Sequence, residues 1–155
     1  MDVRVSWHGG MSLTGTAETG FTVPLGASAA VGGADDGFRP TELLAISLAG
    51  CTAMDVVSIM QKKRQDITAF EVGVQVERAD EHPRVFTSAV ITYEVTGHDV
   101  GEIPLRRSIG LSSKTYCPVQ GMLSKTVPMK LLYRIYEGDS TANRTLVVSG
   151  EWTEE

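Results

Sequence analysis

Hydrophobic positions along this chain change period several times, and each change marks an element. Residues 2–7 alternate polar and apolar like a strand, Gly9-Gly10 is a turn, and Met11 to Ala17 and Gly20 to Leu25 read as further short strands of an antiparallel meander. Gly26 to Phe38 is Gly, Ala, Ser and Asp with little to bury, which predicts a mobile loop. Arg39 to Arg64 then carries an apolar run too long for a strand and reads as the longest helix. Pro40 sits where a first helical residue needs no N–H, and Gln61 to Gln65 is a basic, polar end. Its first half, Leu43 to Ala53, is apolar or small nearly all round, which predicts burial on most sides.

Period-two alternation returns over Ala69 to Arg78, with Phe70, Val72, Val74 and Val76 on one face. Val85 to Thr96 follows as its hairpin mate. Pro104 can open a helix to about Lys114 with Leu105 and Ile109 inward. Tyr116-Cys117-Pro118 interrupts it, and Pro118 starts a third helix with Cys117 as N-cap. Met129 to Glu137 is a strand, Gly138 to Asn143 a turn, and Thr145 to Trp152 a possible last strand. The order of elements argues for one α+β domain over 1–155. Within it, 1–37 is a meander and loop, 38–137 holds the helices and main strands, and 138–155 is a C-terminal extension.

Composition narrows the partners. Fourteen Lys and Arg against 19 Asp and Glu give a net charge of -5, and the densest basic run, Lys62-Lys63-Arg64, only closes a helix, so no nucleic-acid partner is expected. The N-terminus lacks the uninterrupted apolar stretch of a signal peptide or membrane span, so a cytoplasmic protein with no membrane partner is expected. Cys51 and Cys117 have neither CxxC spacing nor a matching histidine pair, so no metal and no cofactor are expected. His8, His82 and His98 sit in turn-like settings without triad spacing, and the glycines at 32, 33 and 37 do not make a phosphate loop.

The two thiols are the remaining chemistry. On an ideal helix Ser47, Asp55, Ser58 and Lys62 fall near the face of Cys51, a mildly polar stripe on an apolar element. A buried cysteine acting as a small hydrophobe is the plain alternative. Asp55, one turn on, would raise the thiol pKa by repulsion, so an activating cation has to come from elsewhere; Arg39, Arg84 and Arg107 are candidates. Cys117, at a helix N-terminus, has the stronger local case for a thiolate.

Three segments in order, Arg39 to Cys51, His82 to Phe86 and Lys114 to Val119, resemble the OsmC/Ohr superfamily. The continuation Cys51 to Val57 is closer to its OsmC-like, YhfA-type branch than to the Ohr branch. The resemblance spans most of 38–136. It implies an intertwined homodimer, with long Cys-bearing helices between curved antiparallel sheets and sites built from both chains. It also implies a thiol-dependent peroxidase that reduces organic hydroperoxides, and sometimes hydrogen peroxide, at the expense of a dithiol reductant, lipoyl-type or other. By carry-over Cys51 is the peroxidatic thiol and Cys117 the resolving one, which fits Cys117 as a good leaving thiolate. The superfamily's Asn-Pro-Glu ahead of the helix, whose Glu pairs an N-terminal arginine, is displaced here. Thr41 holds the Glu position, Glu42 follows it, and the arginine near 8–15 has no counterpart. Glu42 and Arg39 stand in as candidate site residues. The alternative the residues leave open is a non-catalytic dimer that binds a small apolar or thiol-bearing ligand.

Overall fold

A computed structural model describes residues 1–154 and divides the chain into two compact units, Met1–Leu44 and the remainder from Ala45. In the first, β1 (Val3–Trp7), β2 (Leu13–Ala17) and β3 (Thr22–Leu25) form an antiparallel meander in the order β1-β2-β3. Gly9, Gly10 and Gly20 take the positive φ that its tight turns need. Val3, Val5, Trp7 and Phe21 stay exposed.

The segment after β3 is more organised than its composition suggests. Gly26 N–H donates to Phe38 O, Asp35 N–H to Ala27 O, and a short 3₁₀ turn covers Ala29–Val31. The Asp35 carboxylate accepts from Ala29 N–H, and the Asp36 carboxylate accepts from Ser12. Short acidic side chains thus close turns that an apolar count reads only as an absence of core.

Helix α1 (Pro40–Lys62) begins as expected, with Pro40 in its first turn. The Glu42 carboxylate accepts the Arg39 backbone N–H at 2.9 Å, which is the returning half of a capping box. By length and composition α1 could cross a bilayer, yet it packs one stripe into a core: Leu48, Thr52, Val56 and Met60 are buried at i, i+4 spacing. The all-round burial expected of Leu43 to Ala53 does not occur within a single chain. Leu44 and Ile46 are exposed, as is Met54 just beyond that stretch, at 74 %. The buried stripe covers only one side of the helix.

In the second unit β4 (Asp66–Arg78), β5 (Phe86–His98), β6 (Met129–Gly138) and β7 (Arg144–Trp152) form a sheet in the order β4-β5-β6-β7. Between β5 and β6 come α2 (Glu102–Leu111), a π-helical turn over Ser112–Tyr116, and α3 (Pro118–Leu123). The fold is α+β, as expected. One pairing is not antiparallel, because this helical crossover returns β6 parallel to β5. The register aligns Ile91 with Leu131, Tyr93 with Tyr133 and Val95 with Ile135. Those six residues, with Leu48, Val56 and Met60 of α1 and Leu105 and Ile109 of α2, are the buried core. α2 starts two residues before Pro104 and stops at Leu111, where the wider π turn replaces the straight run expected to Lys114.

Candidate active site

α1 presents Cys51 and Asp55 on the same face, since i and i+4 stack one above the other along a helix. The chain then runs through the hairpin and α2, and the π turn carries it to Cys117, the N-cap of α3 with Pro118 behind it. The result brings together residues 51 and 117. The Cys51 and Cys117 sulfurs and an Asp55 carboxylate oxygen all lie within 4.8 Å of one another. Neither cysteine is bonded in a disulfide; Cys51 is partly exposed and Cys117 is buried.

Polar side chains that carried no signal in the sequence complete the site. Gln120 Nε2 donates to the Tyr93 hydroxyl at 3.3 Å, Tyr93 Oη and Thr52 Oγ1 are 2.7 Å apart, and Thr52 Oγ1 and Ser112 Oγ are 2.9 Å apart. Ser112 Oγ donates to Asp55 Oδ2 at 2.9 Å. Each hydroxyl has one proton to give. Since Ser112 donates to Asp55 it accepts from Thr52, and Thr52 in turn accepts from Tyr93. The chain of donors therefore runs one way, from the Gln120 amide through three hydroxyls to the Asp55 carboxylate. Burial pushes the Tyr93 phenol up to about 12, so it keeps its proton and serves as a donor. Gln120 Oε1 is buried without a partner.

Cys117 departs from expectation. Its sulfur does accept the Gln120 backbone N–H at 3.3 Å, and the N–H groups of Gln120 and Val119 pull the thiol pKa down. Burial outweighs them and, with the hydrogen bond shared with Cys51, pushes the thiol up to about 11. An α3 of six residues offers little dipole, and desolvation of the charged sulfur is the larger effect. Cys117 rests as a thiol rather than as the low-pKa leaving thiolate expected from its position.

Two of the candidate arginines, Arg39 and Arg84, are engaged elsewhere. The Arg39 guanidinium pairs with Asp35 and donates to Gly37 O at 3.1 Å. Glu42 is bound to the Arg39 N–H, so both residues act in the turn that starts α1. Arg84 Nε donates to Asp80 O at 3.2 Å in the β4–β5 connection. Arg107 lines an open cavity beside Trp152 and Glu154. His98 is exposed at a strand end, with its Nδ1 2.9 Å from Glu137.

The sequence pattern of the family described as "OsmC-like protein" matches residues 33–132, which contain both cysteines, Asp55 and the whole hydroxyl chain. The chain belongs to the OsmC-like family. It is 35 % identical over 135 residues to Protein YhfA of Escherichia coli (strain K12), covering 87 % of this chain and 98 % of that one, in agreement with the YhfA-type branch. A crystal structure of a hypothetical protein from Aquifex aeolicus VF5 superimposes with a TM-score of 0.77 at 24 % identity, covering 88 % of this chain and 96 % of the other. A structure from Legionella pneumophila, described as an organic hydroperoxide resistance protein OsmC, shares the fold with a TM-score of 0.62 at 14 % identity, over 87 % and 96 % of the two chains.

Proposed function

We propose that this OsmC-like protein is a stress-related thiol peroxidase that reduces organic hydroperoxides, with Cys51 as the peroxidatic thiol and Cys117 as the resolving thiol. The observation that carries the reading is the pair itself: one partly exposed and one buried thiol, with a carboxylate beside them, all within 4.8 Å. The Cys51 thiolate attacks the distal peroxide oxygen, the O–O bond breaks, and the alkoxide takes a proton and leaves as alcohol. Cys51 is then a sulfenic acid. Cys117 attacks that sulfur, an S–S bond forms and water leaves, and a dithiol reductant returns two electrons. Asp55 is the base within reach of the Cys117 proton, and the hydroxyl chain stabilises its charge.

The organic hydroperoxide resistance named for the Legionella pneumophila relative fits this chemistry. The exposed apolar sides of α1 and of β1 support a homodimer as the working form. In this reading the protein is cytoplasmic, and Arg39 and Glu42 serve the turn that starts α1. Consumption of cumene hydroperoxide with a reduced dihydrolipoyl dithiol is the test. Cys51→Ser is expected to lose turnover, and unchanged turnover in that variant overturns the proposal. The upward shift of Cys117 favours a second reading, a dimer that binds a small thiol-bearing ligand without turnover. Saturable ligand binding with no peroxide consumed is the result that selects it.

A further inference from the structure

The side chains that frame the thiol pair are also a metal-donor set, and we propose that the reduced protein binds one thiophilic divalent cation of the zinc class through Cys51, Asp55 and Cys117. The donors are two sulfurs and one carboxylate oxygen, within 4.8 Å of one another. In a tetrahedral zinc site, bonds of about 2.3 Å to sulfur and 2.0–2.2 Å to oxygen put the donors roughly 3.5–3.8 Å apart. Closure therefore asks any pair to approach by at most about 1 Å, within the reach of side-chain torsions on an otherwise fixed backbone.

Three further features fit a cation. Cys51 and Asp55 stand at i and i+4 on α1, the spacing that places two ligands on one helix face. Ser112 donates to Asp55 Oδ2 at 2.9 Å, an orienting bond of the kind that fixes a ligating carboxylate while leaving it lone pairs to share. Gln120 N–H donates to the Cys117 sulfur at 3.3 Å, which stabilises a ligating thiolate. Two sulfurs select zinc or cadmium over magnesium or calcium. Three protein ligands leave one position for water, and partly exposed Cys51 gives the route in. Binding displaces both thiol protons, so affinity rises by up to about a hundredfold per pH unit while both thiols are protonated. A bound cation occupies the sulfur that a peroxide must reach.

Titration of the purified chain, kept reduced by a phosphine, with Cd²⁺ reads the thiolate-to-cadmium charge-transfer band, and Zn²⁺ competition against a chromophoric chelator gives the affinity. Saturation at one equivalent is expected. Cys117→Ser is expected to halve the band and weaken binding about a hundredfold or more, and Ser112→Ala to weaken it about tenfold with the band intact. Asp55→Asn has nearly the parent's shape and keeps the comparison valid if the cysteine variant does not fold. It is expected to keep the band and weaken binding tenfold or more. No saturable band, or parental affinity in folded Asp55→Asn, overturns the proposal. The titration contains no peroxide, so a chain that turns over peroxide without binding metal refutes only the metal site, and metal binding without turnover refutes only the peroxidase.

Discussion

The two walls of the thiol site are built differently. The α1 wall is a long helix whose Cys51 and Asp55 follow from simple periodicity and lie partly exposed. The opposite wall is a π turn and a helix of six residues, holding Ser112, Cys117 and Gln120 out of water. Exposure makes Cys51 the thiol that an oxidant can meet. Burial keeps Cys117 protonated, and under the proposed function it stays so until a sulfenic acid forms beside it. A resolving thiol held this way does not compete for the peroxide, and it needs a base when its turn comes. Asp55, the base under that proposal, stands on the first wall and is oriented by Ser112 from the second.

The sharpest way to break this division of labour is to remove one sulfur at a time. Cys51→Ser is expected to lower peroxide turnover on the order of a thousandfold or more, with no alcohol formed even in a single turnover. Cys117→Ser is expected to form one alcohol per chain and then stall as a sulfenic acid, measured by product per chain against a sulfenate trap. Equal single-turnover yields in both variants would abolish the distinction. Next in size is Asp55→Asn, expected to slow disulfide formation about tenfold to a hundredfold while the initial oxidation of Cys51 is little changed. Stopped-flow records of the two phases separate these steps.

Accessibility gives a smaller effect. Alkylation at pH 8 is expected to mark Cys51 more than about tenfold faster than Cys117 by mass spectrometry, and the gap should narrow as pH approaches 11. The folded state holds the Cys117 proton more tightly than the unfolded chain, whose cysteine titrates near 9.0. That preference supports folding in full below pH 9 and fades as pH rises towards about 11, so the melting temperature should fall across that window. The smallest expected effect is that of Tyr93→Phe. It removes the hydroxyl between Thr52 and Gln120, leaves the buried Gln120 amide short of an acceptor, and should cost about 1–3 kcal/mol in denaturant unfolding. A loss near zero would mean that the directed hydroxyl chain contributes little to the buried wall.

Much of the fold was legible because burial repeats with a period. Val72, Val74 and Val76 on β4, and Leu105 and Ile109 on α2, lie where alternation and helical spacing place them. The loop before α1 was harder to read, since Asp35 and Asp36 act through hydrogen bonds to residues that no local pattern connects. The apolar surround of α1 was legible as composition only. Within one chain it leaves Ile46 and Met54 in water, and a face of that kind is explained by what covers it.

By itself the sequence determined the elements, the family and the two cysteines, because propensity, periodicity and short motifs are local and survive in one dimension. It also placed Asp55 one turn from Cys51. Tertiary structure alone decided that Cys117 meets them, since a separation of 66 residues is closed by a hairpin, α2 and a π turn whose packing no local pattern encodes. It alone decided the state of Cys117, where burial overrides the helix-end effect that position suggested. The hydroxyl chain through Tyr93, Thr52 and Ser112 was invisible for the same reason. Its members come from a strand, a helix and a π turn, and only packing makes them neighbours.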